Sequence, residues 1–430
     1  MDAATYQDYV NILHEELVPA MGCTEPIAIA YAAAVARQTL GRPAQRMEVE
    51  ASGNIIKNVK SVFVPNTGGL RGIPAAAAAG MAAGDPALEL EVLSSIGEGE
   101  QAAIRQYLAD TPIAVKLADS PFIFDIAIRA WAGEDSALVR IVNYHTNIVR
   151  VERNGQVLKE VEAQAAAEEG LTDKSVLTVK GILEFAREAA LADVEDAVGR
   201  QVRYNTAIAQ EGLRGDYGAN IGKVLLATYG DDVKIRAKAM AAAGSDARMN
   251  GCGLPVVIVS GSGNQGLTAS LPVVEYAKEL GADWETTLRA VLVSDLITIH
   301  LKAEIGRLSA YCGAVSAGCG SGAGIAWLYG REKEPQALLK DVSHTIVNAL
   351  AVDSGIVCDG AKASCAAKIA SAVDAGLLGF YMYQNGQQFR GGDGIISKGV
   401  EETIRNIGLL ATQGMRETDR EIRDIMTTRC

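Results

Sequence analysis

Four cysteines stand where their thiols could do chemistry. Cys358 and Cys365 lie in IVCDGAKASCAAK, Cys312 in the glycine-rich RLSAYCGAVSAGCGSGAGI, and Cys23 just ahead of a run that reads as a helix. Three thiolates are one short of closing a four-iron cluster, and such a set leaves one iron open for a substrate. Cys358 and Cys365 are spaced for one face of a continuous helix, but Asp359-Gly360 is expected to interrupt it and turn both sulfurs toward one centre. Glycines beside Cys312 would give backbone N–H groups access to the cluster sulfides. On spacing alone the same cysteines also read as small buried hydrophobes, and Cys319 could replace Cys312 as the first ligand. The four histidines are scattered singly and no C-x-x-C pair exists, which argues against zinc. Cys252 reads as a packed thiol and Cys430 as part of a frayed tail.

Cys23 carries its own argument. Thr24 or Glu25 is expected to cap the following helix, and Pro26 suits a first turn. The helix end favours thiolate, a base or nucleophile, whereas burial opposes it. SGSGNQG, residues 260–266, follows an apolar extended run and precedes a helix; its amides, with Ser260, Ser262, Asn264 and Gln265, could hold a carboxylate or form an ordinary turn. Asn58 and Asn66 are placed at strand ends beside glycines, as further substrate contacts. His300, Glu304 and Arg307 recur at helical spacing, as a network beside the cysteines or a solvated stripe. His14, His145 and His344 read as ordinary polar residues.

The elements that must position these groups form an α+β fold: a mainly α-helical catalytic lobe with a smaller α+β lobe carrying an antiparallel sheet. Residues 1–45 are N-terminal helices expected to pack on the catalytic lobe so that Cys23 reaches the later cysteines, 46–175 the α+β lobe, and 176–430 the helical, cluster-binding lobe. The strand candidates are MEVEAS, VKSVFV, LELEVL, IAVKLA, FIFDIAIRAW and LVRIVNYHTNIVRVE, with helices near 73–83 and 98–108 between them. Gly133-Glu134-Asp135 reads as a hairpin turn, and PVVIVSGSG as a short extended piece in the second lobe.

Composition narrows the classes. In 430 residues, 49% are hydrophobic but only 5% aromatic, so the core is built from Ala, Val, Ile and Leu, and 45 glycines allow helices to approach closely. The formal charge of −12, with no basic stretch, argues against nucleic acid. No basic leader opens the chain and no apolar run is read as spanning a bilayer, so the expectation is a cytoplasmic protein with no membrane partner. Seven cysteines, an odd number in a long chain, point to reduced thiols.

Taken together, Cys23-Thr24-Glu25-Pro26, GNIIKN ending at Asn58, LPVVIVSGSGNQG, RLSAYCG and CDGAKASC resemble the iron–sulfur L-cysteine desulfidases, a group related to the α-domain of iron–sulfur L-serine dehydratases. The resemblance implies a [4Fe–4S] cluster on Cys312, Cys358 and Cys365, a catalytic thiol at Cys23, a small amino acid as substrate, and a homodimer. It implies β-elimination of L-cysteine to sulfide, ammonia and pyruvate, with L-serine as the alternative substrate. Two other classes compete. A pyridoxal-phosphate dehydratase shares an SGNQG-like loop but needs a tetraglycine phosphate loop, absent here, and Lys57 lacks the expected neighbours. A redox sensor needs a DNA-reading element, which the acidic chain does not offer.

Overall fold

The computed structural model describes residues 1–164 and 170–428. The first part of the chain runs α1 (Ala3–Glu16), β1 (Pro19–Met21), α2 (Thr24–Leu40), β2 (Arg46–Ala51), α3 (Gly53–Val59), α4 (Gly72–Ala83), α5 (Glu98–Asp110), β3 (Ile113–Leu117), β4 (Asp125–Ala132), β5 (Asp135–Val142), β6 (Ile148–Arg153) and β7 (Gln156–Glu160). The second part is helical apart from β8 (Pro255–Val257). Its helices are α6 (Val179–Glu188), α7 (Leu191–Arg214), α8 (Ile221–Tyr229), α9 (Val233–Met249), α10 (Gly263–Glu279), α11 (Trp284–Ile305), α12 (Gly313–Gly330), α13 (Pro335–Val352), α14 (Cys365–Gln384), α15 (Val400–Leu409) and α16 (Arg416–Thr428).

The α+β class holds, with one correction to the sheet. Its order is β3-β2-β4-β5-β6-β7, and every pair is antiparallel except β2–β3, which is parallel because α3, α4 and α5 intervene and carry the chain back to the same end. Two expected strands are not strands. VKSVFV is the end of α3 and a turn, with only a single bridge from Phe63 to Arg71. LELEVL falls largely in a 3₁₀ segment, Pro86–Glu91, because Asp85 caps Ala87 N–H and Pro86 sits in its first turn. The run after Leu138 breaks at residues 143–147, where Asn143 takes φ +67° and a turn carries His145.

Helix α2 is apolar almost all round and almost wholly buried, between the sheet and α4. The N-terminal elements divide: α1 packs on α7, and β1 pairs antiparallel with β8, which ties Cys23 to the start of α10. In the helical part, α12 and α14 approach backbone to backbone; a Cβ at Gly318 would stand 2.2 Å from Ala372 O. Helix α14 corrects the reading that no apolar run is long enough for a bilayer. Its 20 residues have the length and hydropathy of a span, yet half are buried, because it packs on α9, α12 and α13 as a core helix.

Candidate functional site

Cys312, Cys358 and Cys365 are brought together by a short ladder and two helix starts. Cys312 N–H donates to Ile356 O at 2.8 Å, Cys358 N–H donates to Ala310 O at 2.7 Å, and Tyr311 bridges Val357 between them. Cys312 is the N-cap of α12, and Cys365 is the first residue of α14. Between Cys358 and Cys365 the chain turns at Gly360, whose φ of +90° and approach to Lys57 O, 2.5 Å from where a Cβ would stand, admit only glycine. The expected helix interruption after Cys358 is therefore present.

The electrostatics favour anionic sulfur at Cys358, whereas the bond to Cys358 and burial raise Cys312, and burial raises Cys365. The Cys312 thiol donates to the Cys358 sulfur, which keeps the Cys312 proton in place and lowers the Cys358 pKa. Each of the three sulfurs also accepts a backbone N–H, from Ala314, Gly360 and Lys362 respectively. Lys57 and Lys362 act on Cys358, and Lys368 on Cys365. Lys302, buried on α11, is lowered to about 8 by desolvation while Cys358 and Cys312 pull it back up. Lys57 pairs with Asp419 of α16; Lys362 and Lys368 both pair with Asp359.

Three converging thiols with N–H donors and surrounding ammonium groups fit a cluster held by three thiolates. Among the described residues no group of three or more His, Cys, Asp or Glu, the three cysteines included, is already spaced to hold a metal ion. Cys319 lies apart from this set, buried in α12 with its thiol toward Ile346 O at 3.7 Å. Cys252 is buried beside Tyr217, and Cys430 lies outside the described residues.

Across α3 from these sulfurs lies Cys23. Asn58, whose Cα stands 3.5 Å from a Cβ placed on Gly360, donates to Glu25 Oε1 at 2.9 Å, and Cys23 Sγ–H donates to Glu25 Oε2 at 3.0 Å. Asn58 is helical rather than at a strand end. Neither Thr24 nor Glu25 caps α2; Cys23 holds the cap position, the Thr24 hydroxyl donates to Gly261 O at 2.8 Å, and the Glu25 carboxylate faces inward. The balance between helix end and burial goes to burial: desolvation, then the Glu25 charge, pushes the Cys23 thiol well up. Burial alone would raise Glu25 too, but the His145 charge, present only where that ring is protonated, and hydrogen bonds from the Cys23 thiol and Asn58 hold it below the ordinary carboxylate range.

His145, read from sequence as an ordinary polar residue, is part of this wall. It is 5% exposed, lies over Gly261 and is pushed down to about 4 by desolvation, so it is neutral at pH 7 with Nε2 unpartnered. The only signal for it in the sequence was its place in a turn between two strands.

Loop 260–265 packs beside both sets of thiols, its Gly261 O accepting from Thr24 and its Gln265 lying against Gly313. Ser260 takes φ +48°, Ser262 is the N-cap of α10 without a side-chain cap bond, and Gln265 packs on Gly313 beside Cys312. Asn264 Nδ2 reaches Met249 Sδ at 3.5 Å. Asn66 is used by its own loop, donating to Leu93 O at 3.0 Å. Buried and unpartnered are Asn58 Oδ1, His145 Nε2, Arg248 Nε, Asn264 Oδ1 and Gln265 Oε1, a concentration of unmet polar atoms that calls for a polar ligand. The expected stripe before Cys312 splits: His300 bonds Glu401 at 2.7 Å, Arg307 bonds Glu16 at 2.8 Å, and Glu304 is exposed. A cleft of about 1420 Å³ between the sheet and the helices is lined by Asn54, Ser260, Lys302, Arg307 and Asp419. None of the four thiols lines it.

The serine dehydratase alpha chain family matches residues 87–423. A UPF0597 protein of Desulfitobacterium hafniense is 58% identical over 99% of this chain and 97% of its own length. Those of Lachnoclostridium phytofermentans and Treponema denticola are 51% and 45% identical, each over at least 98% of both chains.

Proposed function

Because the chain belongs to the serine dehydratase alpha chain family, within the UPF0597 proteins, we propose that it is a carbon–sulfur lyase that eliminates sulfide from L-cysteine at a [4Fe–4S] cluster. The observation that carries this reading is the convergence of Cys312, Cys358 and Cys365, joined through Gly360, Asn58 and Glu25 to a fourth thiol, Cys23, with unpartnered polar groups on Asn58 and Gln265. Those three residues would hold the cluster, and a cluster with one iron free of protein would supply a Lewis acid for the substrate heteroatom.

The chain's own residues handle the proton. Cys23, as thiolate, takes the proton from the substrate Cα, and the thiol so formed donates to Glu25 Oε2. A thiolate raised in basicity by burial is the stronger base for so weak an acid. Asn58 keeps Glu25 aimed at the thiol. The α10 end and loop 260–265 face the substrate carboxylate, whose charge grows as the proton leaves. Loss of sulfide leaves an enamine, which with one water yields ammonia and pyruvate.

L-serine is the second reading, supported by the family match itself; soft sulfur favours cysteine at iron. That the six described cysteines are free agrees with a reducing compartment, and we place the enzyme in the cytoplasm. The test is anaerobic purification with iron and labile-sulfide analysis, then ammonia and pyruvate release from both amino acids. Protein loaded with iron and sulfide that releases neither product would end this reading.

A further inference from the structure

Arg248, at the end of α9, is 2% exposed, yet it has no carboxylate partner among the described residues. Its one hydrogen bond is the weak contact of Nη1 with Met249 Sδ at 3.4 Å, and Nε has none. A guanidinium is always charged, and burying it without an anion is costly, so a fold that keeps one unpaired is expected to receive its anion from outside. Gly263, the first residue of α10, makes room for it: a Cβ there would stand 2.3 Å from Arg248 Nε. The guanidinium is also near enough to Cys23 and His145 to shift both.

The other unmet atoms complete a pattern. Asn58 Oδ1, Asn264 Oδ1 and Gln265 Oε1 are acceptors, whereas Arg248 Nε is a cationic donor. Acceptors beside a guanidinium complement an ammonium beside a carboxylate, the two ends of an α-amino acid. We propose that Arg248 binds the α-carboxylate of the substrate, setting specificity for α-amino acids over the corresponding amines. The inference deepens the amino-acid reading above and rests on it for the identity of the ligand.

The experiment is anaerobic calorimetry on the full-length, metal-free chain, with L-cysteine and with cysteamine, which lacks the carboxylate. Wild type is expected to bind L-cysteine about 10- to 150-fold more tightly than cysteamine, the range of a hydrogen bond to a charged group. Arg248→Met is expected to bind the two alike, and Arg248→Lys to recover part of the preference. The Tm of ligand-free Arg248→Met should equal or exceed that of wild type, because an unpaired buried charge is removed, whereas a merely structural arginine would lower it. If Arg248→Met does not fold, Gly263→Ala serves, since its methyl displaces the guanidinium and should weaken L-cysteine binding but not cysteamine binding. Preference for L-cysteine retained in either variant, or absent from wild type, would overturn the proposal. Failure of the lyase reading is separate: it appears as absent ammonia and pyruvate from iron-loaded wild type, and leaves the calorimetric comparison standing.

Discussion

The surroundings of Cys358 and of Cys23 treat the same chemical group in opposite ways. At Cys358, a neighbouring thiol, a backbone N–H and lysines draw the proton away; at Cys23, burial and a carboxylate 3.0 Å from the sulfur hold it in place. The first environment suits a ligand, which must be thiolate to bind metal. The second suits a group that holds a proton at rest, bonded to Glu25. Environment, not residue type, divides the work.

The contrast is sharpest under substitution. Cys358→Ala is expected to lose iron to background and activity with it, measured by iron analysis and pyruvate release on anaerobically purified protein; full iron content would break the division between the two sides. Cys23→Ala should keep its iron and lose turnover by about 10²- to 10⁴-fold, the usual worth of a positioned acid or base. Glu25→Gln, which keeps an amide oxygen as acceptor but removes the carboxylate charge beside the thiol, should keep iron and cost about 10- to 100-fold in kcat, with KM little changed.

His145 sharpens the comparison by pH. Its folded pKa of about 4 lies below the unfolded 6.5, so the unfolded chain binds the extra proton first. Stability from this residue is complete above pH 6.5 and falls by up to about 3 kcal/mol as pH drops toward 4. Glu25, depressed below its ordinary 4.5, keeps its contribution above that value and loses it as pH falls through its folded pKa. Calorimetric Tm values at pH 7 and 5 should fall less in His145→Gln than in wild type, and an unchanged slope would remove His145 from the account. The smallest effect belongs to Cys319→Ala, expected to leave iron and turnover unchanged and to cost about 1 kcal/mol of stability by denaturant titration.

How much of this was legible depended on whether the signal was local. The break after Cys358 was readable because Asp-Gly stops a helix whatever surrounds it. The Ala-rich α2 and the loop before α10 were readable for the same reason. LELEVL misled because alternation alone reads as strand, while Asp85 and Pro86 set a 3₁₀ turn ahead of it. VKSVFV misled because β-branched residues at a helix end look like those in a sheet. His145 and Arg248 carried no usable motif: each owes its place to what packs over it, Gly261 for one and Gly263 for the other.

By itself the sequence determined the inventory: four thiols in small-residue settings, a glycine-rich loop before a helix, an acidic chain and an α+β pattern. Only tertiary structure decided the states of those groups. Desolvation, a partner's charge and an unmet hydrogen bond are properties of neighbours in space, and the neighbours of Cys23, His145 and Arg248 come from elements far apart along the chain.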